Sequence, residues 1–265
     1  MSKKVKDILI YPIKSLPPIR IETGYAKRRG LKLDRRWMLV DAEHKFITQR
    51  THPILTQIHI QLTPKQILLN YNNDTLSIPI KLKNHNIYQV EVWDHVVEAH
   101  EVSAQVNSWF TKILGIETKL VKMDKSSKRV KKFLRAPWKS KVSFADGYPY
   151  LIIGTASLEL LKSKLEHPIN MDRFRGNIIA DTDIAHEEDS WDTIIIGSAV
   201  FKLIKPCTRC KVITIDQQSG VSSAEPIKTL STYRKFDNKI NFGMNAICVE
   251  KGKFKKGDRI ILMKN

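Results

Sequence analysis

Cysteine is scarce: Cys207, Cys210 and Cys248 are the only three among 265 residues. A small odd number argues against the disulfide framework that staples small secreted domains, so packing, redox chemistry or a metal has to account for the thiols. Long apolar runs are missing as well. No window approaches the ~20 unbroken apolar residues of a membrane-spanning helix. The opening stretch, Met1-Ser2-Lys3-Lys4-Val5-Lys6-Asp7-Ile8-Leu9-Ile10, turns polar too soon for a signal-peptide core. These absences together lead us to expect a soluble, cytoplasmic protein. Acidic residues are also in deficit, with 27 Asp and Glu facing 45 Lys and Arg for a net charge of +18.

Half of that charge sits in one place. Residues 119–141 hold ten Lys and Arg against a single acid, Asp124. Such a cluster faces an anionic ligand, steers an acidic partner or forms a solvated loop. Only Phe133 and Trp138 interleave with its basic residues. That is thin for nucleic-acid binding, which uses aromatic residues among the basic ones, so nucleic acid is not an expected partner.

What is present is enough for two domains, since domains usually run ~100–150 residues, and the 42% hydrophobic content supplies their cores. The spacing predicts a mainly β protein with some α structure. Expected strands of the first half are Val5–Tyr11, Trp37–Asp41, Lys45–Gln49, Ile58–Leu62, Gln66–Leu69, Thr75–Ile80 and Tyr88–Trp93, the second and third forming a hairpin. Val106, Trp109, Phe110, Ile113 and Leu114 then mark one face of a helix. We divide the chain into 1–118 and 119–265. The basic segment is the crossing between them, and the second fold starts near Val142. There, Tyr150–Ile153, Asn177–Ala180, Thr193–Ile196, Val200–Ile204, Val212–Ile215, Ala246–Val249 and Arg259–Met263 read as strands. Thr155 is expected to cap one helix, and Pro226 to open another that runs to about Tyr233.

The sharpest local feature is Lys205-Pro206-Cys207-Thr208-Arg209-Cys210-Lys211. A structural zinc site wants four ligands, and no histidine lies within twenty residues of Cys207. A thioredoxin-like pair wants a following helix, whereas Val212–Ile215 reads as a strand. One thiolate used as a soft-metal ligand remains, with Arg209 and Lys211 favouring the charged form at Cys210. A pair of half-buried structural cysteines explains the motif equally well. Lys14 and Ser15, just past the first strand, suit a phosphate or a pterin, or else are a solvent-facing loop. Arg173-Phe174-Arg175-Gly176-Asn177 offers guanidinium forks and an amide to an anionic heterocycle, or else a surface salt-bridge site. Asp34-Arg35-Arg36-Trp37 adds a further guanidinium.

The order of these pieces along the chain carries more than any one of them. Tyr-Pro-x-Lys-Ser at 11–15 is followed by Asp-Arg-x-Trp-x-x-Val at 34–40, Asp-Gly-Tyr-Pro at 146–149 and Phe-Arg-x-Asn at 174–177. Then come Glu-Asp-Ser-Trp at 188–191, Cys-x-Arg-Cys at 207–210, Glu-Pro at 225–226, Phe-Gly-x-Asn at 242–245 and Lys-x-Gly-Asp at 255–258. The set resembles, over nearly the whole chain, the MOSC proteins that carry an additional N-terminal β-barrel domain, a group that includes the mitochondrial amidoxime-reducing components and their bacterial relatives.

That resemblance implies an N-terminal β-barrel-like domain packed on a C-terminal MOSC β-barrel. It also implies binding of the molybdenum cofactor (molybdopterin) and reduction of small N-hydroxylated compounds to amines. By motif position Cys210 matches the metal ligand and catalytic residue. Lys14, Ser15, Arg35, Arg175, Asn177, Thr208 and Arg209 match cofactor contacts, and Asp146 and Asn245 match positions lining the same pocket. Where Asn245 stands, the mitochondrial members look to carry Tyr. The chain shows neither the membrane anchor of those members nor the ferredoxin-like domain of some bacterial ones. Electrons are therefore expected from a separate donor of ferredoxin, flavin-reductase or cytochrome type, with the basic segment at the pocket mouth or receiving that donor. The rival implication is a carrier of the cofactor or of sulfur, since MOSC domains also occur in cofactor sulfurases. The family's link to pyridoxal phosphate stems from a separate domain of those sulfurases, for which 265 residues leave no room.

Overall fold

The computed structural model describes residues 3–82, 86–124, 126–127, 129–132 and 139–263. The sequence readings that involve Met1, Ser2, Lys125, Lys128, Phe133, Arg135 and Trp138 lie outside these residues. Strand outweighs helix, 42% against 17%, so the chain is mainly β.

The first strand, β1 (Lys4–Ile10), is followed by β2 (Ile19–Arg20), β3 (Thr23–Ala26) and β4 (Trp37–Val40). Next come β5 (His59–Leu62), β6 (Gln66–Tyr71), β7 (Asp74–Pro79), β8 (Ile87–Val92) and β9 (His95–Glu101). Helix α1 (Ala104–Leu114) begins where Ser103 accepts a hydrogen bond from Val106 N and ends on the left-handed Gly115. The strand β10 (Lys119–Met123) and the hairpin β11 (Val130–Lys132) and β12 (Lys139–Lys141) follow. One sheet runs β4-β10-β9-β8 and another β5-β6-β7, giving an open half-barrel. Trp37, Leu39, Ile67, Val106, Phe110 and Leu120 are buried in its core.

The remaining elements are β13 (Tyr150–Gly154), α2 (Thr155–Lys162), β14 (Ile178–Asp181), β15 (Thr193–Ile196) and β16 (Ala199–Thr208). After them come α3 (Ile227–Tyr233), β17 (Lys235–Phe236), β18 (Lys239–Glu250), β19 (Gly252–Lys255) and β20 (Ile260–Leu262). The large sheet runs β2-β1-β14-β13-β18-β16-β15-β20. It curls back on itself where Ile260 N donates to Lys3 O at 2.8 Å and Val5 N to Asp258 O at 2.9 Å. This second barrel thus takes β1 from the far end of the sequence. Alternation of buried residues such as Ile194 and Ile196 on β15 and Phe201 and Leu203 on β16 fills its interior.

Several expectations need correction. Lys45–Gln49 is not a strand; it meets β4 through the single bridge Val40–Phe46 and then turns away. The strand β9, passed over in the sequence, alternates charged with apolar residues and pairs with β8 and β10. Lys119–Met123, taken as the start of the crossing, is β10 and pairs with β4 and β9. Its lysines hid Leu120, Val121 and Met123, which are buried. Gly154, not Thr155, caps α2. Val212–Ile215 is not a strand, since Lys211–Thr214 forms one 3-10 turn. β-branched residues favour strands only where a sheet neighbour receives them.

Candidate functional site

Strand pairing explains why distant motifs meet. β1 lies antiparallel to β14 with Ile8 opposite Ile178, so Tyr11–Ser15 leaves the barrel beside the approach to β14, which carries Arg175 and Asn177. Asn177 N donates to Leu151 O at 2.8 Å and Leu9 N to Asn177 O at 2.9 Å. β18 lies between β13 and β16, with Asn245 opposite both Leu151 and Lys205. This register sets Asn245 beside the Cys207–Cys210 segment. Gly243, at φ +75°, permits the close approach, because a Cβ there would lie 2.9 Å from Ile152 O. The half-barrel contributes Arg35, whose N–H donates to Tyr11 O at 2.7 Å.

At this end of the barrel lies a cleft of about 290 Å³. All ten residues singled out from the sequence line it: Cys210, Lys14, Ser15, Arg35 and Asp146, together with Arg175, Asn177, Thr208, Arg209 and Asn245. The Cys210 thiol is exposed in the cleft, at the entry to the 3-10 turn, and Cys207 is half-buried beside it. The neighbouring guanidinium does not serve Cys210 as its place in the sequence suggested. Arg209 Nη1 donates to Cys207 Sγ at 3.1 Å and Nη2 to Phe174 O at 2.8 Å. Thr208 Oγ1 donates to Asn241 Oδ1 at 3.2 Å, and Asn245 Nδ2 to Pro206 O at 3.3 Å.

The opposite wall is a network around buried Asp34. Its carboxylate accepts from Tyr11 N at 2.9 Å, Arg35 Nη1 at 2.8 Å and Asn177 Nδ2 at 3.2 Å. Asn177 Oδ1 in turn accepts from Arg35 Nη1 at 3.1 Å and Leu151 N at 3.3 Å, while its Nδ2 also donates to Leu9 O at 3.1 Å. The amide is therefore committed within the protein, and its part is to hold Arg35 rather than to read a ligand edge. Both Arg35 and Arg175 lie over the Tyr11 ring, 4.3 and 4.4 Å from its centroid. Burial works against the Arg35 charge, but Asp34, together with Tyr11 and Asp146, outweighs it and holds the group above its ordinary value. Burial pushes Arg175 down to about 10, still a cation at neutral pH. Arg175 Nη1 donates to Leu16 O at 3.0 Å, and the group makes no ion pair among the described residues.

At the floor, buried Lys14 donates to Phe144 O at 3.0 Å and pairs with Asp146. Burial, partly offset by Asp146, lowers the lysine from its usual value. Crowding by neighbouring atoms works to raise the Asp146 carboxyl although its side chain is exposed, and Lys14 outweighs this to hold it well below the usual range. Buried Arg129 supports this floor from beneath, donating to the carbonyls of Ser143 and Ala145 and, at 3.3 Å, of Asp146. For the described residues this corrects one of the two parts expected of the basic segment, since none of 119–141 lines the cleft. Lys119 pairs with Glu117 at 2.5 Å, and Lys122 lies over the Trp37 ring.

The sequence also missed residues of the lining. Thr48 and Gln49 belong to the segment read as a strand and Arg50 directly follows it, while Lys205 and Tyr148 stood inside quoted motifs without being assigned a part. In the described lining, six cations (Lys14, Arg35, Arg50, Arg175, Lys205 and Arg209) face the one carboxylate of Asp146. The arrangement can hold a polyanion and offers it one accessible sulfur.

A barrel joined to a half-barrel, with a cation-lined cleft at their junction, defines a class of protein that family comparison resolves further. Residues 2–117 match the MOSC N-terminal beta barrel domain and residues 139–261 the MOSC domain. The chain belongs to the MOSC family. It is 30% identical to mitochondrial amidoxime-reducing component 1 of Mus musculus over 88% of this chain and 72% of that one. It is 31% identical to mitochondrial amidoxime reducing component 2 of Rattus norvegicus over 98% and 83%. With molybdenum cofactor sulfurase of Bombyx mori it shares 29% identity over 92% of this chain, which spans about a third of that relative, 32%.

Proposed function

We propose that the chain is a molybdenum-cofactor-dependent reductase that converts N-hydroxylated compounds to amines with electrons from a separate donor protein. The observation that carries this reading is the convergence of the Cys210 thiol with unneutralised cations in one cleft. The residues fit the group. Its phosphate calls for guanidinium and ammonium donors, and Arg209 Nε is buried without a hydrogen-bond partner. The metal is soft enough to take a thiolate. Cys210 would be the protein's ligand, and Lys14, Ser15, Arg35, Arg175, Thr208 and Arg209 would hold the pterin and its phosphate. Asp146, Asn177 and Asn245 keep those donors in position. Bound there, the cofactor supplies the two-electron chemistry that takes oxygen from an N–OH group.

The chain's own contribution is orientation and field. Asp34 and Asn177 fix Arg35 before any ligand arrives, so little ordering is left to be done on binding. Tyr11 gives Arg35 and Arg175 a common surface and keeps two like charges close together. Lys14 and Asp146 offset one another at the floor. The donor is of ferredoxin, flavin-reductase or cytochrome type, and the protein works in the cytoplasm. Among the described residues no helix is long and apolar enough to cross a membrane.

The match to part of a cofactor sulfurase supports a second reading, a carrier of the cofactor or of sulfur. Purification from a host that makes the cofactor, followed by metal analysis and a benzamidoxime assay with an artificial donor, separates the two. We expect about one molybdenum per chain together with turnover. Stoichiometric molybdenum without turnover under any donor makes the protein a carrier of the cofactor, and absence of the metal overturns both the reductase and the cofactor carrier.

A further inference from the structure

The turn between β8 and β9 places Trp93 at φ +58°, a left-handed conformation that bulky residues seldom adopt. The residue is 44% exposed and belongs to none of the hydrophobic cores. Three contacts hold it. Its Nε1 donates to Asp146 Oδ1 at 3.1 Å, the Arg50 guanidinium lies 4.9 Å from the ring centroid, and Phe46 lies 5.1 Å away. Asp146 and Arg50 both line the cleft. A turn of the half-barrel therefore holds a large, partly exposed indole just outside the lining, against the exposed Asp146 side chain and Arg50 that do line it. Left-handed strain and an exposed ring both cost stability, and such costs gather at ligand-contacting positions.

We propose that Trp93, held by Arg50 and Asp146, is a specificity-determining wall of the substrate entrance and selects flat, conjugated N-hydroxylated compounds that carry no positive charge. The proposal rests on the reductase reading and adds the substrate class to it. An indole presents a large rigid apolar surface at low entropic cost, which favours a flat conjugated partner over a short alkyl one. The charge preference follows from the same rim. Arg50 and Lys205 are positive there, while Asp146 is already engaged by Lys14 and Trp93.

The test compares kcat/KM for benzamidoxime and acetamidoxime in native protein, Trp93→Ala and Trp93→Phe, all loaded with cofactor and driven by an artificial donor. Equilibrium quenching of tryptophan emission by the same two compounds is followed in parallel. The benzamidoxime-to-acetamidoxime ratio should fall about tenfold in Trp93→Ala, through KM rather than kcat, and largely recover in Trp93→Phe. With quenching measured in a Trp138→Phe background, because Trp138 lies outside the described residues, benzamidoxime should quench the emission and Trp93→Phe should abolish that quenching, since Trp37, Trp109 and Trp191 are buried. Where the native protein is active, the ratio decides: an unchanged ratio in Trp93→Ala overturns the inference and leaves the reductase reading intact. No turnover by native protein, with quenching that Trp93→Phe abolishes, defeats the reductase reading and leaves an aromatic-binding wall. Neither turnover nor quenching defeats both.

Discussion

Cys210 and Cys248 lie in the same barrel under opposite conditions. Cys248 faces the interior of β18, where burial pushes its thiol up to about 11, so that at pH 8 only about one in a thousand is ionised. Cys210 is exposed in the cleft, and Cys207, half-buried, has Arg209 against its sulfur. Iodoacetamide at pH 8 should therefore label Cys210 first and leave Cys248 untouched until the protein unfolds. Peptide mapping that found Cys248 modified as fast as Cys210 would contradict this account of the two thiols. The sequence made residue identities legible and left their aim hidden. Lys14, Arg175 and Cys210 stand out by type and order, whereas Arg209 looks like a companion of Cys210 and in fact contacts Cys207. Asn177 looks like a ligand reader and has its amide committed to Leu9, Leu151, Asp34 and Arg35. Hydrogen-bond partners far along the chain decide such cases, and residue spacing does not encode them.

Among the elements, β1 has a place that no local pattern reveals. Its apolar run marks a strand, but pairing with β14, nearly 170 residues away, is settled by the closure of the barrel. Asp34 then ties the loop after β1 to the approach to β14 through Tyr11 N and Asn177. Asp34→Ala would leave the largely buried Arg35 guanidinium without its counter-charge and Tyr11 N–H without its acceptor, a loss of about 3–5 kcal/mol in stability, whereas Asp34→Asn keeps an acceptor for Tyr11 N and should lose less. Urea denaturation measures both. A loss below ~1 kcal/mol for Asp34→Ala, the range of an ordinary surface change, would contradict the network described above. The alternating β7 and the unbroken β-branched run of β15 were legible from sequence. Lys119–Met123 was obscured by its lysines, and Val212–Ile215 misled because its β-branched residues meet no neighbouring strand.

For the whole molecule, the positive charge matters by where it converges. The dense basic segment drew attention in the sequence, yet its described residues stay out of the cleft, and Arg129 is spent beneath the floor. The charge that faces a ligand comes from single residues scattered from Lys14 to Arg209 and gathered by strand register. A cofactor bound at that junction would touch both halves of the chain, which is where domain architectures commonly place such groups. The central claim is that one sulfur in this cleft is the protein's ligand to a catalytic metal. The most direct measurement is benzamidoxime reduction by Cys210→Ser beside the native protein, with an artificial donor, metal content determined on both and folding checked by thermal unfolding. The account predicts an unchanged melting transition and turnover reduced to background. Native-like turnover by the folded serine variant would contradict it.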